Sequence, residues 1–265
     1  MLKDITIGQY FPGDTFVHRL DPRIKILITI MFIASLFFVN TFYPYILILA
    51  FILISIKLSK IPAKYVVKGL KPLMPIIIIT FVINVLFTKG EVLLPLGPLA
   101  ITKEGLSQAI FMALRLIFLI TGTSLLTLTT SPISLTDGIE RLLSPFKKIG
   151  LPAHELAMMM TIALRFIPTL LEETDKIMKA QMARGADFES GNVINRAKNL
   201  VPLLVPLFVN SFRRADELAN AMEARCYRGG ENRTRLNELK LNNQDILAIS
   251  LAAIFFGFII STKYI

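Results

Sequence analysis

An all-α, polytopic membrane protein is predicted by three features of the sequence. Apolar runs recur along the chain and lift the apolar fraction to 54% and the mean hydropathy to +0.61, beyond an ordinary soluble domain. Basic segments between the runs alternate with connections poor in Lys and Arg. One charged region, residues 131–245, holds 16 of the 29 Lys and Arg and 14 of the 19 Asp and Glu, interleaved with apolar residues as in amphipathic helices. The expected fold is about five transmembrane helices plus a cytoplasmic domain of three amphipathic helices. Its divisions are 1–130 (lead-in and spans one to four), 131–242 (amphipathic helices) and 243–265 (last span).

Residues 1–25 form a basic amphipathic lead-in without the apolar core of a cleavable signal. Pro12 and Gly13 mark a turn, and Asp21 before Pro22 reads as an N-cap followed by proline at the first helical position. No charge occurs from Ile26 to Ile56. That run exceeds one span of about 20 residues, so Asn40 to Pro44 divides it into two short spans. Lys57, Lys60, Lys64, Lys68 and Lys71 follow. A third span covers Pro72 to Thr88, then a loop with Gly90, Pro95, Gly97 and Pro98. The fourth span runs from about Gly105 to Thr130 and contains Arg115. Three amphipathic helices come next: Ser134 to Lys148, Pro152 to Arg184, and one from after Gly191 to near Arg225. Pro202 and Pro206 predict a kinked, interfacial course for the third. Ile246 to Thr262 is the fifth span. Residues 1–25 hold four Lys and Arg and 57–71 hold five, whereas Asn40 to Pro44 holds none and 88–104 holds two. This asymmetry predicts a cytoplasmic N-terminus, 57–71 segment and 131–245 region, with the C-terminus outside.

Several chemistries have no support. The net charge of +10 is spread between apolar runs, so nucleic acid is not an expected partner. Cys226 is the single cysteine, and His18 and His154 are too few for a zinc cluster. No nucleophile motif is present, and Gly185 to Gly191 lacks the Lys-Ser/Thr of a phosphate loop. No catalytic, cofactor or metal residues are therefore assigned. Glu172, Glu173 and Asp175 read as a solvated helix face. Arg115 has three open readings: a transport pathway, a lipid headgroup partner, or a place near the end of its span.

One repeat stands out. Asp175 to Gly185 reads DKIMKAQMARG and Asp216 to Cys226 reads DELANAMEARC. A shift of 41 positions superposes Asp175 on Asp216, Ala180 on Ala221, Ala183 on Ala224 and Arg184 on Arg225. Both copies suit helices, and Ala180, Ala183 and Arg184 share a face at i, i+3 and i+4. Each helix thus ends in two small residues and a guanidinium. An arginine at a helix C-terminus before a capping Gly185 is one explanation. Its repetition with the same small face points instead to docking on carboxylates of a partner. Six of the ten methionines lie at 158–160, 178, 182 and 222. They either fill a core or make an adaptable contact surface, Met178, Met182 and Met222 being nearest the repeat.

These residues carry a resemblance. The lead-in YFPGDTFVHRLDPRIK, the stretches TDGIERLLSPF and ALRFIPTLLEE, and Ala183-Arg184-Gly185 with Ala224-Arg225-Cys226 resemble the transmembrane coupling (T) component of energy-coupling factor (ECF) transporters. The similarity covers nearly the whole chain. Cys226 stands where that family usually has Gly. The resemblance implies a non-catalytic subunit of an ATP-driven importer in a prokaryotic cell membrane. The amphipathic helices become a coupling-helix domain, and Ala183, Arg184, Gly185, Ala224, Arg225 and Cys226 dock on two ATP-binding cassette subunits. Ala180 and Ala221, with Met178, Met182 and Met222, belong to the crossing of the helices. ATP is bound by the partners, and a small membrane subunit binds a vitamin or metal ion. The rival classes are a permease lining its own path, for which polar groups should converge within spans, and a membrane scaffold that tethers a soluble partner.

Overall fold

The computed structural model describes residues 10–39, 41–96, 99–186, 188, 193–229 and 239–262. The chain divides into two compact units. The described part of the first covers Tyr10–Gly138 and Leu239–Thr262; that of the second covers Ile139–Gly229.

The first unit opens with a short turn, α1 (Phe16–Arg19), and then α2 (Pro22–Phe38). The Asp21 carboxylate accepts the Arg23 amide at 2.9 Å, and Pro22 occupies the first helical turn without wasting a donor. The uncharged run breaks as expected: α2 ends at Phe38 and α3 runs from Tyr43 to Ser59. Then come α4 (Ala63–Leu70), a single 3-10 turn at Lys71–Leu73, and α5 (Met74–Phe87). The lysine-rich segment is thus largely helical and continuous with the third span. The fourth apolar helix, α6 (Lys103–Thr129), starts where the Thr102 hydroxyl accepts the Gly105 amide at 3.0 Å. The last, α10 (Asn243–Ser261), starts in a capping box built from Asn242 and Asp245.

The connection expected as a plain loop contains a two-stranded antiparallel ribbon, β1 (Val92–Leu96) with β2 (Leu99–Thr102). Its pairs run from Val92↔Thr102 to Leu96↔Leu99. Two apolar runs joined by two residues form a hairpin pattern. Reading Gly97 and Pro98 only as breakers misses it.

Phe32 and Leu36 of α2, Ile48 and Ile52 of α3, Phe118 of α6, and Phe256 and Ile259 of α10 form the buried core of this unit. Phe51 stacks on Phe32 and meets Phe256 edge-on at a centroid distance of 5.1 Å. Gly122 lets α6 pass this core, because a Cβ there would overlap the Phe32 ring.

Among the described residues, four helical stretches are long and apolar enough to cross a membrane: Ala63–Phe87, Lys103–Thr129, Ala153–Ala183 and Asn243–Ser261; Tyr43–Ser59 is a shorter apolar helix. Ala153–Ala183 was expected to be amphipathic. Its charge is uneven. Residues 156–171 hold one charged residue, Arg165, while Glu172, Glu173, Asp175, Lys176 and Lys179 crowd the second half.

The second unit contains α8 (Ala153–Ala183) and α9 (Val193–Ala224). They are preceded by α7 (Pro132–Leu143), which straddles the division between the units, and by a 3-10 segment at Ser144–Ile149. Helix runs without interruption through Pro168 in α8 and through Pro202 and Pro206 in α9.

Candidate functional site

The two arginine-bearing helix ends have the same construction. In α8, the Arg184 amide donates to the Gln181 carbonyl, Gly185 to Met182, and Ala186 back to Gln181, each at 3.0 Å. In α9, Arg225 donates to Met222 at 3.2 Å, Cys226 to Glu223 at 2.8 Å and Tyr227 to Met222 at 3.0 Å. Each end is a Schellman motif with arginine as the C-cap. The motif requires a left-handed residue next. Gly185 supplies φ +88°, and Cys226 adopts φ +55°. The 41-residue repeat is therefore a repeat of backbone geometry, and cysteine in the glycine position does not change how the helix ends. Capping accounts for the backbone but not for the guanidiniums. Arg184 and Arg225 are exposed, as are Ala183, Gly185, Ala224 and Cys226.

The two helices are antiparallel. The Gln181 amide donates to the Pro202 carbonyl at 3.4 Å, joining the end of α8 to the first half of α9. That carbonyl is free because Pro206, four residues on, has no N–H. Further along, Glu173 accepts from Asn210 Nδ2 at 2.5 Å and from Arg214 at 3.5 Å, and Arg214 lies over the Phe166 ring. At the far end the Tyr227 hydroxyl meets His154 Nε2 at 3.3 Å and Met158 Sδ at 3.0 Å, and His154 Nδ1 holds Glu140 at 3.0 Å. Glu173 is thus a half-buried contact to α9, which corrects its reading as part of a solvated face. The Arg184 end thus lies toward the first half of α9, and the Arg225 end near the start of α8. With 31 residues in α8 and 1.5 Å of rise per residue, the two arginine-bearing helix ends are separated by roughly the 45 Å length of that helix.

The small residues do not close this pair. Ala180, Ala183, Ala221 and Ala224 are all exposed, so within the chain they do not pack on one another. Met159, Met160 and Met182 are exposed as well, which core filling does not explain; Met178 and Met222 are half-buried. Along α9, Leu200, Val201, Leu204, Val205, Phe208 and Phe212 present an apolar face to the outside.

The polar groups within the spans are occupied by structure. Arg115 donates to the Val39 carbonyl at 2.8 Å and to the Tyr45 hydroxyl at 3.3 Å, and it lies over the rings of Phe37 and Phe111. Arg115 therefore clamps the turn between α2 and α3, a role the sequence left open. Asn84 donates to the Thr80 carbonyl of its own helix at 2.8 Å. Neither residue converges with the other on a path. Burial pushes the His18 imidazole below its ordinary value; it bonds Thr15 and the Phe11 carbonyl and so folds the lead-in on itself.

Known proteins are similar to this chain over most of their length. The family described as "Cobalt transport protein" (CbiQ) matches residues 13–236. "Energy-coupling factor transporter transmembrane protein EcfT" of Clostridium kluyveri is 66% identical over 256 residues, covering 96% of this chain and 94% of that protein. The protein of the same description from Thermosediminibacter oceani is 65% identical over 247 residues, covering 93% of each. That from Bacillus subtilis is 50% identical over 261 residues, covering 97% of this chain and 98% of its own. The apolar helices and this likeness agree: the chain belongs to the family of energy-coupling factor transporter transmembrane proteins, the non-catalytic coupling components of those transporters.

Proposed function

We propose that this chain passes ATP-driven movement from two ATP-binding subunits to a separate substrate-binding membrane subunit. One subunit receives the α8 end at Arg184, with Ala183 and Gly185, and the other receives the α9 end at Arg225, with Ala224 and Cys226. The observation that carries this reading is the pair of identical Schellman ends at opposite ends of an antiparallel helix pair. A separation of roughly 45 Å between the two arginine-bearing helix ends exceeds the breadth of a small domain, about 30 Å. Two receiving bodies fit this spacing better than one. The exposed apolar face of α9 and the exposed methionines and alanines fit contact with the membrane subunit and with the ATP-binding subunits. The distribution of Lys and Arg supports a cytoplasmic N-terminus and coupling region, 131–242, in a prokaryotic cell membrane. A vitamin or metal ion is the proposed cargo class, in line with the family's description as a cobalt transport protein.

The test is co-purification with the ATP-binding subunits and ATP-dependent uptake in proteoliposomes. Arg184→Ala and Arg225→Ala should each impair uptake, and the double variant should abolish it and weaken ATPase retention. Loss of one partner of a desolvated charge pair costs about 2–5 kcal/mol. Lysine should rescue only in part, because an ammonium lacks the planar fork of donors. Full uptake by the double variant would reduce both arginines to helix caps and overturn the proposal.

A further inference from the structure

The chain leaves the first compact unit at Gly138 and returns to it at Leu239. Everything between belongs to the second unit, which contains α8 and α9. Both crossing points are tied to a single turn, residues 21–25, at the head of α2. On the outgoing side, Lys25 Nζ donates to the Thr129 carbonyl at the end of α6 at 2.9 Å and to the His18 carbonyl at 3.0 Å. Gly138 sits against Pro22, where a Cβ would come within 3.0 Å of the proline Cβ. On the returning side, Arg23 donates to the Leu239 carbonyl at 3.3 Å while forming a two-bond fork with Asp21, at 2.7 and 3.0 Å. Asp245 then closes the knot. One of its oxygens accepts the Asp21 amide and the other the Asn242 amide, each at 2.8 Å.

Asp21, Lys25 and Asp245 are 5%, 6% and 4% exposed. Water cannot readily replace these bonds, and a buried donor or acceptor left unmade is costly. Asp21 and Asp245 lie 224 positions apart, so the knot is not a local cap. A helix start needs only the Asp21 cap; the bonds to Thr129, Leu239 and Asp245 reach the chain on either side of the coupling helices.

We propose that Lys25, Asp21, Arg23 and Asp245 are positioning residues for energy coupling, a buried anchor that holds on the first turn of α2 the two points, Gly138 and Leu239, where the chain leaves and re-enters the bundle. Movement passed along the chain from α8 and α9 then meets held exit and return points instead of two slack connections. This rests on the coupling function proposed above.

The test uses the complete transporter in proteoliposomes, with ATP hydrolysis and substrate uptake measured on the same vesicles. Lys25→Met removes the ammonium, and Asp245→Asn keeps one of the two carboxylate oxygens as an acceptor. Each should retain the ATP-binding subunits and hydrolyse ATP while moving roughly two- to thirtyfold less substrate per ATP, the range of coupling effects produced by residues that touch neither ligand. Unchanged substrate per ATP, or uptake and hydrolysis falling together, would overturn the anchor. Wild-type vesicles without ATP-dependent uptake would instead overturn the coupling function itself. A second measurement needs no variant. In hydrogen exchange of the wild-type complex, the amides of Asp21 and Asn242 should stay protected with and without ATP. Exchange of either amide on nucleotide binding would show that the knot opens, and the anchor would fail.

Discussion

The two compact units differ in where they put their apolar and charged side chains. The membrane bundle buries both. Phe32, Phe118 and Phe256 lie in its core, and Asp21, Lys25 and Asp245 are buried with partners. The helical pair buries little. Among its described residues only Ala153, Ala157 and Leu203 are buried apolar side chains, while Phe208, Phe212 and Met182 are exposed together with Arg184 and Arg225. The bundle has a core of its own, with Ile79, Leu251 and Ile254 exposed around it. On the function proposed above, the exposed side chains of the pair are the ones that other chains would cover.

The sharpest way to break this contrast is to truncate one phenylalanine from each unit. Phe256→Ala, at 1% exposure, should cost about 3–5 kcal/mol and lower the thermal unfolding midpoint of the detergent-solubilised chain. Phe212→Ala, at 70% exposure, should change it by less than about 0.5 kcal/mol and act only on assembly. Equal destabilisation would mean that the pair has a core of its own. The arginines allow the same comparison at a smaller scale. Arg115→Met leaves the Val39 carbonyl without its guanidinium donor and should cost about 1–3 kcal/mol, whereas Arg184→Met should leave the isolated chain as stable as before. Ala183→Leu sharpens the contrast further. It should not affect membrane insertion or the stability of the chain alone, but it should weaken ATPase co-purification by overpacking a contact, at about 1–3 kcal/mol. Normal assembly and transport would show that this face stays uncovered. The smallest effect concerns Cys226→Gly. Relief of a left-handed non-glycine residue should raise stability by about 1 kcal/mol, with the paired geometry of the two helix ends unchanged.

Much of this was legible where a single residue type carries a single physical meaning. Asp21 and Pro22 start a helix as their chemistry requires, Asn40 to Pro44 marks the break between two short spans, and the 41-residue repeat reappears as a repeated set of hydrogen bonds. What escaped depends on partners far away in sequence. Glu173 looks solvated beside Glu172 until Asn210 and Arg214 arrive from the opposite helix. Arg115 kept three readings because its acceptor, the Val39 carbonyl, lies 76 positions away. The ribbon of β1 and β2 was hidden by Pro95, Gly97 and Pro98 in its sequence. The apolar first half of α8 was masked by averaging over a charged region. Gln181 could not be matched to Pro202 without knowing that the helices are antiparallel and that Pro206 had freed the carbonyl.

The left-handed turn at the end of α9 places the one thiol of this protein in solvent, directly after Arg225. Cys226 is consequently a native reporter that requires no engineering. Its rate of alkylation in the wild-type chain reads whether that helix end is covered. Slowing on addition of the ATP-binding subunits, and variation of the rate through the nucleotide cycle, would time the engagement of one arm of the pair while the other arm, ending in Gly185, stays chemically silent.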